Sequence, residues 1–188
     1  MRHNIPPLLL ACDRAEGREC VLRLLAGKAS PDAQRDPSGS PLSAAASWGH
    51  ADIVELLLAQ RASVDGPASA SGQPQSPSPL WRCCVQGHAA VAQLLLTHGA
   101  DANRVTQLPN GVETGTPLHA ASAKGHIDLV RLLLAHGAAA EVAKRDGSTP
   151  LSAAATFGHP GVVALLLRAG ARDGQPPGSI SAVDAARA

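Results

Sequence analysis

Residues 116–138 read TPLHAASAKGHIDLVRLLLAHGA, and three other stretches of the chain are variants of that sentence. The opening proline recurs at Pro41, Pro79, Pro117 and Pro150. A Gly-His pair follows at 49–50, 87–88, 125–126 and 158–159, and a leucine triplet at 56–58, 94–96, 132–134 and 165–167. All three marks step together by 38, 38 and then 33 residues. Self-similarity at such a period means a stacked solenoid, in which each unit buries its apolar face only against its neighbours. A solenoid presents a long surface rather than one pocket, and that surface suits the holding of another protein.

Each unit is expected to fold as helix, tight turn, helix, loop. The Ser or Thr before the proline can cap the first helix by accepting from its free backbone N–H groups. Proline at the first helical position gives up a donor that would have no partner there. Small residues follow, as in Ala44-Ala45-Ala46, Ala120-Ala121 and Ala153-Ala154-Ala155, and allow neighbouring helices to approach closely. Gly49, Gly87, Gly125 and Gly158 stand where a helix ends in a left-handed residue. The next stretch, such as Ile127–Leu134, carries apolar residues at helical spacing and ends at Gly99, Gly137 or Gly170.

Thr116-Pro117-Leu118-His119-Ala120-Ala121, Gly125-His126 and Leu132-Leu133-Leu134-Ala135-His136-Gly137-Ala138 closely resemble the ankyrin repeat, and the resemblance extends over about 40–181. It implies an all-α solenoid of paired antiparallel helices with hairpin-like finger loops, in about five repeats plus a partial sixth. The first helices and the fingers would line a concave face. On this division 1–33 is a degenerate first repeat, 34–66 repeat 2, 67–77 an extended finger loop and 78–103 repeat 3. A second extended finger loop occupies 104–115, followed by repeat 4 (116–141), repeat 5 (142–173) and a partial terminal repeat (174–188). Because the pattern starts and stops within a unit, the chain is expected to be a fragment of a longer protein or to have an end packed by another element.

Departures from the repeat carry expectations of their own. Lys28 and Arg61 replace the glycine after the second helix. A non-glycine residue in a left-handed turn costs about 1–2 kcal/mol, so those turns are expected to rearrange. The Thr–His polar network that the resemblance implies is complete only at Thr116 and His119, since the other units carry Ser43, Trp81 and Ser152 at the histidine position. Two loops, within 66–77 and 104–115, run five residues beyond the 33-residue period. Insertions in solenoids map to loops on one face, often the binding face. Within them, Ser76-Pro77 is a minimal proline-directed phosphorylation signal that would add charge next to Arg82.

Composition narrows the function. Lys and Arg number 16 against 15 Asp and Glu, which gives no electrostatic reason to expect nucleic acid or an anionic membrane. The early apolar run from Pro6 to Cys12 is too short for a membrane span. Cys12, Cys20, Cys83 and Cys84 fit neither a zinc site nor a disulfide framework, which favours a reducing compartment, cytoplasmic or nuclear. Gly27-Lys28-Ala29-Ser30 lacks the first glycine of a phosphate loop, and no nucleophile elbow or His-Glu-x-x-His occurs. Of eight histidines, His50, His88, His126 and His159 repeat one position, and His98 and His136 another, as structural groups do. The chain is therefore expected to be no enzyme, to need no metal or cofactor, and to act as a monomer or as part of a larger chain.

The remaining candidates form a partner-binding face. Trp48 and Phe157 each lie seven residues after their proline, just before the turn glycine, and Gln86 and Lys124 hold that position between them. Trp81 replaces the histidine of repeat 3. Aromatic residues dominate binding hot spots because they bury much area with few torsions. Ser47, Arg82, Val85, Ala123 and Thr156 are expected on the same face, and Asn103, Arg104 and Glu113 on the third finger. Asn103 resembles the finger asparagine that is hydroxylated in some ankyrin proteins. The face would suit an extended peptide or loop with an acidic or amide-bearing centre. Within the family resemblance, a substrate receptor of a ubiquitin ligase and the regulatory array of a larger enzyme are the alternative roles.

Overall fold

Each Ser/Thr-Pro step opens a helix by the expected device. Ser40 Oγ accepts from the Ser43 N–H at 3.2 Å, Ser78 Oγ from Trp81 at 3.2 Å and Thr149 Oγ1 from Ser152 at 3.1 Å. The computed structural model describes residues 6–33, 39–66, 77–107 and 113–172. Five helix pairs occupy these residues: α1 (Pro7–Cys12) with α2 (Arg18–Ala26), α3 (Pro41–Trp48) with α4 (Ala51–Ala59), and α5 (Pro79–Gln86) with α6 (Ala89–Thr97). The last two pairs are α7 (Pro117–Lys124) with α8 (Ile127–Ala135), and α9 (Pro150–Thr156) with α10 (Pro160–Arg168). The first helices α1, α3, α5, α7 and α9 pack in sequence as one row, and the second helices form a parallel row behind them. No helix among the described residues is long and apolar enough to cross a membrane.

The core repeats as the sequence does. Leu42, Leu80, Leu118 and Leu151, each next to its proline, are buried. So are Leu57, Leu95, Leu133 and Leu166, the middle members of the leucine triplets. Complete burial of each such side chain contributes about 1.5–3 kcal/mol. The alanines and cysteines of the inner row, including Cys83 and Cys84, fill the space between helices.

Three features differ from expectation. The turns at Lys28 and Arg61 are not rearranged: both residues hold φ near +60° (63° and 61°). The reason is visible in the backbone. Arg61 N–H bonds Leu58 O at 2.9 Å and Ala62 N–H bonds Leu57 O at 3.0 Å, the same pair of bonds that Gly99 and Ala100 make to Leu96 and Leu95. Two hydrogen bonds and a buried Ala62 hold the turn against the left-handed strain. Second, α1 and α2 are joined through a short 3-10 turn, Ala15–Gly17, where the later repeats have their Gly-His turn. Third, the finger before repeat 4 contains true strands, β1 (Thr106–Gln107) and β2 (Glu113–Gly115), paired antiparallel. Ser76, residues 67–76 of the first long loop, 108–112 of the second, and the terminal unit 174–188 lie outside the described residues.

Candidate functional site: a groove across repeats 3 to 5

Two repeated devices fix the spacing of the units before any site is considered. One joins the fingers. Asp32 accepts from Ser63 N–H at 2.9 Å, Asp65 from Asp101 N–H at 3.1 Å, and Asn103 Oδ1 from Ala139 N–H at 2.7 Å. In each case a short polar side chain reaches the backbone of the next finger. Glu141 holds the equivalent place in repeat 4 and faces Arg172 at 4.0 Å. Burial raises the pKa of Asp65, and the Asp101 N–H and nearby Arg104 oppose that rise.

The second device joins the helical turns. His88 Nε2 donates to Ser47 O at 3.1 Å, His126 to Val85 O at 3.4 Å and His159 to Ala123 O at 3.1 Å. Each imidazole lies flat against the turn glycine of the preceding repeat, so a Cβ on Gly49, Gly87 or Gly125 would lie 2.5–2.9 Å from the ring. His50, the first of the row, has a buried Nε2 with no such partner among the described residues. The repeated histidines therefore serve as spacers between units.

Repeat 4 adds a third contact. The backbone N–H of Thr116 donates to His119 Nδ1 at 3.2 Å, so that nitrogen carries no proton. Nε2 then carries it and donates to Ser148 O at 3.1 Å on the next finger. Burial lowers the His119 pKa below its ordinary value, in agreement with a neutral ring that must accept at Nδ1.

These contacts hold α5, α7 and α9 side by side with an open groove of about 370 Å³ across them. Ala120, Ala123 and Ala153 form its floor. Trp81 borders it from repeat 3 and Phe157 from repeat 5. Lys124 enters from the end of α7, and Lys144 and Ser148 from the fourth finger. The lining contains two lysines and no carboxylate. Lys144 faces Asp146 at 3.5 Å; Asp146 stays ionised because the Ser148 N–H and then Lys144 lower its pKa. Among the described residues Lys124 makes no ion pair. Phe157 is 63% exposed, and it caps α9 rather than ending it as a helical residue. Trp81 is half-buried, and its indole N–H is covered without a partner among the described residues.

The eleven candidate contact residues thus separate. Trp81, Lys124, Thr156 and Phe157 meet in the groove. Ser47 and Arg82 are linked to each other at 3.4 Å across repeats 2 and 3. Burial lowers the Arg82 pKa, and Asp13 acts against that shift. Trp48 is 61% exposed, three repeats away from Phe157 at the far end of the groove, and Gln86 is exposed between them. The third finger is otherwise engaged. Asn103 Nδ2 donates to Gly137 O at 3.1 Å in addition to its bond to Ala139. Glu113 pairs with Arg145 at 3.2 Å, and Arg104 lies near Asp65. Of the groove residues, Thr114, Lys144 and Ser148 from the fingers and His119, Ala120, Ser152 and Ala153 from the inner helices were not assigned to the binding face from sequence, although Thr114 lies in the inserted loop 104–115.

A family model described as ankyrin repeats (three copies) matches residues 8–106 and again 104–175. No curated protein matches the chain.

Proposed function

The chain belongs to the ankyrin-repeat family, and from that premise we propose that it is a non-catalytic scaffold holding a segment of another protein in the groove across repeats 3 to 5. Ankyrin repeats are protein–protein interaction modules. The observation that carries the choice of face is the groove itself, with an exposed Phe157, a half-buried Trp81 and a floor of alanines. Its volume of about 370 Å³ lies within the range of about 300–1,000 Å³ typical of ligand sites. Rigid aromatic walls around a desolvated centre are the usual composition of a binding hot spot. Four free thiols, three of them buried, suit action in the cytoplasm or nucleus.

Affinity capture from the native cell type tests this, with Trp48→Ala as the comparison. Phe157→Ala is expected to reduce recovery of the bound protein at least tenfold, and Trp48→Ala to change it less than threefold, as expected of a groove hot spot against a remote residue. Both side chains are exposed surface groups, and circular dichroism checks that the variants keep their helices. Equal recovery by wild type and Phe157→Ala would overturn the assignment of this face.

A further inference from the structure

Resting on that reading, we propose the chemistry of the occupant: an extended segment of the partner in which a bulky aliphatic or aromatic residue stands within one or two positions of an Asp or Glu. Shape sets the first half. Packed helices lie about 10 Å apart, so α5 to α9 spans about 20 Å, which about six extended residues cover at about 3.3 Å each. The alanines of the floor leave depth for one large side chain between the Trp81 and Phe157 rings, and no polar side chain rises from Ala120, Ala123 or Ala153 to meet a polar one.

Charge sets the second half. Lys124 and Lys144 line the groove and no carboxylate does. The surrounding acids are engaged elsewhere: Glu113 with Arg145 at 3.2 Å, and Asp146 with Lys144 and the Ser148 N–H. Lys144 is already shared, so Lys124, exposed at the edge of the apolar floor, is the ammonium left to an incoming carboxylate. An apolar residue seated between the rings puts a neighbouring carboxylate within reach of it. A basic or neutral segment would leave that ammonium half-covered and uncompensated, so the groove discriminates by sign.

The probe is a random twelve-residue peptide library displayed on phage, panned against the full chain. Enriched peptides are expected to share an apolar residue beside Asp or Glu. A synthetic copy is then titrated by fluorescence anisotropy. Binding is expected to weaken about threefold with Lys124→Ala and about tenfold with Lys124→Glu. Replacing the peptide's acidic residue with Lys should restore binding to Lys124→Glu while weakening it to wild type. Phe157→Ala should weaken every enriched peptide about thirtyfold. Peptides that need Phe157 but carry no acid, or ignore the charge of residue 124, would overturn the occupant's chemistry and leave the groove standing. Enriched peptides indifferent to Phe157→Ala would overturn the groove and this inference with it, as would a library from which nothing is enriched.

Discussion

Gly125→Ala lowers the unfolding free energy by about 2–5 kcal/mol, whereas Gly137→Ala lowers it by about 1–2 kcal/mol. Both glycines hold a left-handed backbone, with φ of 73° and 82°, so both alanines pay the same conformational strain. Their surroundings differ. Around Gly137 a Cβ meets nothing within 4 Å, and the strain is the whole effect. At Gly125 the Cβ would lie 2.5 Å from His159 Nδ1 and 2.7 Å from Cε1. The ring cannot retreat without breaking its bond to Ala123 O, so the overpacking of a filled site adds about 1–3 kcal/mol. Urea unfolding followed by circular dichroism measures both variants. Combining Gly125→Ala with His159→Ala should give a loss smaller than the sum of the two single losses, because each change removes part of the same contact. Equal losses at Gly125 and Gly137 would contradict the role given to the histidine row.

His119→Ala destabilises the protein by about 2–4 kcal/mol and removes part of its sensitivity to acid. The side chain is 2% exposed and joins the buried Thr116 N–H to the part-buried Ser148 carbonyl on the next finger. Alanine leaves the buried Thr116 N–H without its acceptor over a cavity and strips the Ser148 carbonyl of one of its two donors, the other being the Lys144 N–H at 2.9 Å. The acid dependence follows from the lowered pKa. In the unfolded chain the ring takes up a proton as pH falls through its ordinary value of 6.5, while in the folded chain it stays neutral to lower pH. The unfolded state then binds more protons, so this contribution to stability is constant above that value and declines as pH falls below it. Urea midpoints for wild type and His119→Ala between pH 8 and pH 5 make the comparison. Their difference is expected to narrow as the pH drops through about 6.5. A gap that widens on acidification would mean that the folded ring is protonated and the assigned tautomer is wrong.

Most of the scaffold was legible because its signals are local. Pro117 and Thr116 mark a helix start within four residues, Gly125 marks its end, and the Leu132–Leu134 triplet marks the buried stripe of the next helix. The Gly-His pairing was readable as a repeated position, but its purpose was not. His159 contacts Gly125 and Ala123, 34 and 36 residues away, and no local pattern announces a contact at that distance. The same limit applies to Asn103 and Glu113. As sequence they look like exposed polar finger residues, and only the neighbouring finger reveals that Ala139, Gly137 and Arg145 occupy them. Arg61 erred the other way. Local preference argued for a changed turn, and tertiary burial of Ala62 with two backbone bonds kept the ordinary one. Within the groove, Trp81, Phe157 and Lys124 stood out by type and register. The contributions of Lys144 and Ser148 depend on where a loop folds over.

Hydrogen–deuterium exchange on the full chain, with and without a partner segment obtained by capture or panning, tests the central claim most directly. Protection is expected in α7, in α9 through Phe157, and in the finger from Lys144 to Ser148, with α4, α6 and α8 unchanged. Protection confined to α4, α6 and α8 or to repeats 1 and 2, with α7, α9 and the finger from Lys144 to Ser148 exchanging as in the free protein, would contradict it.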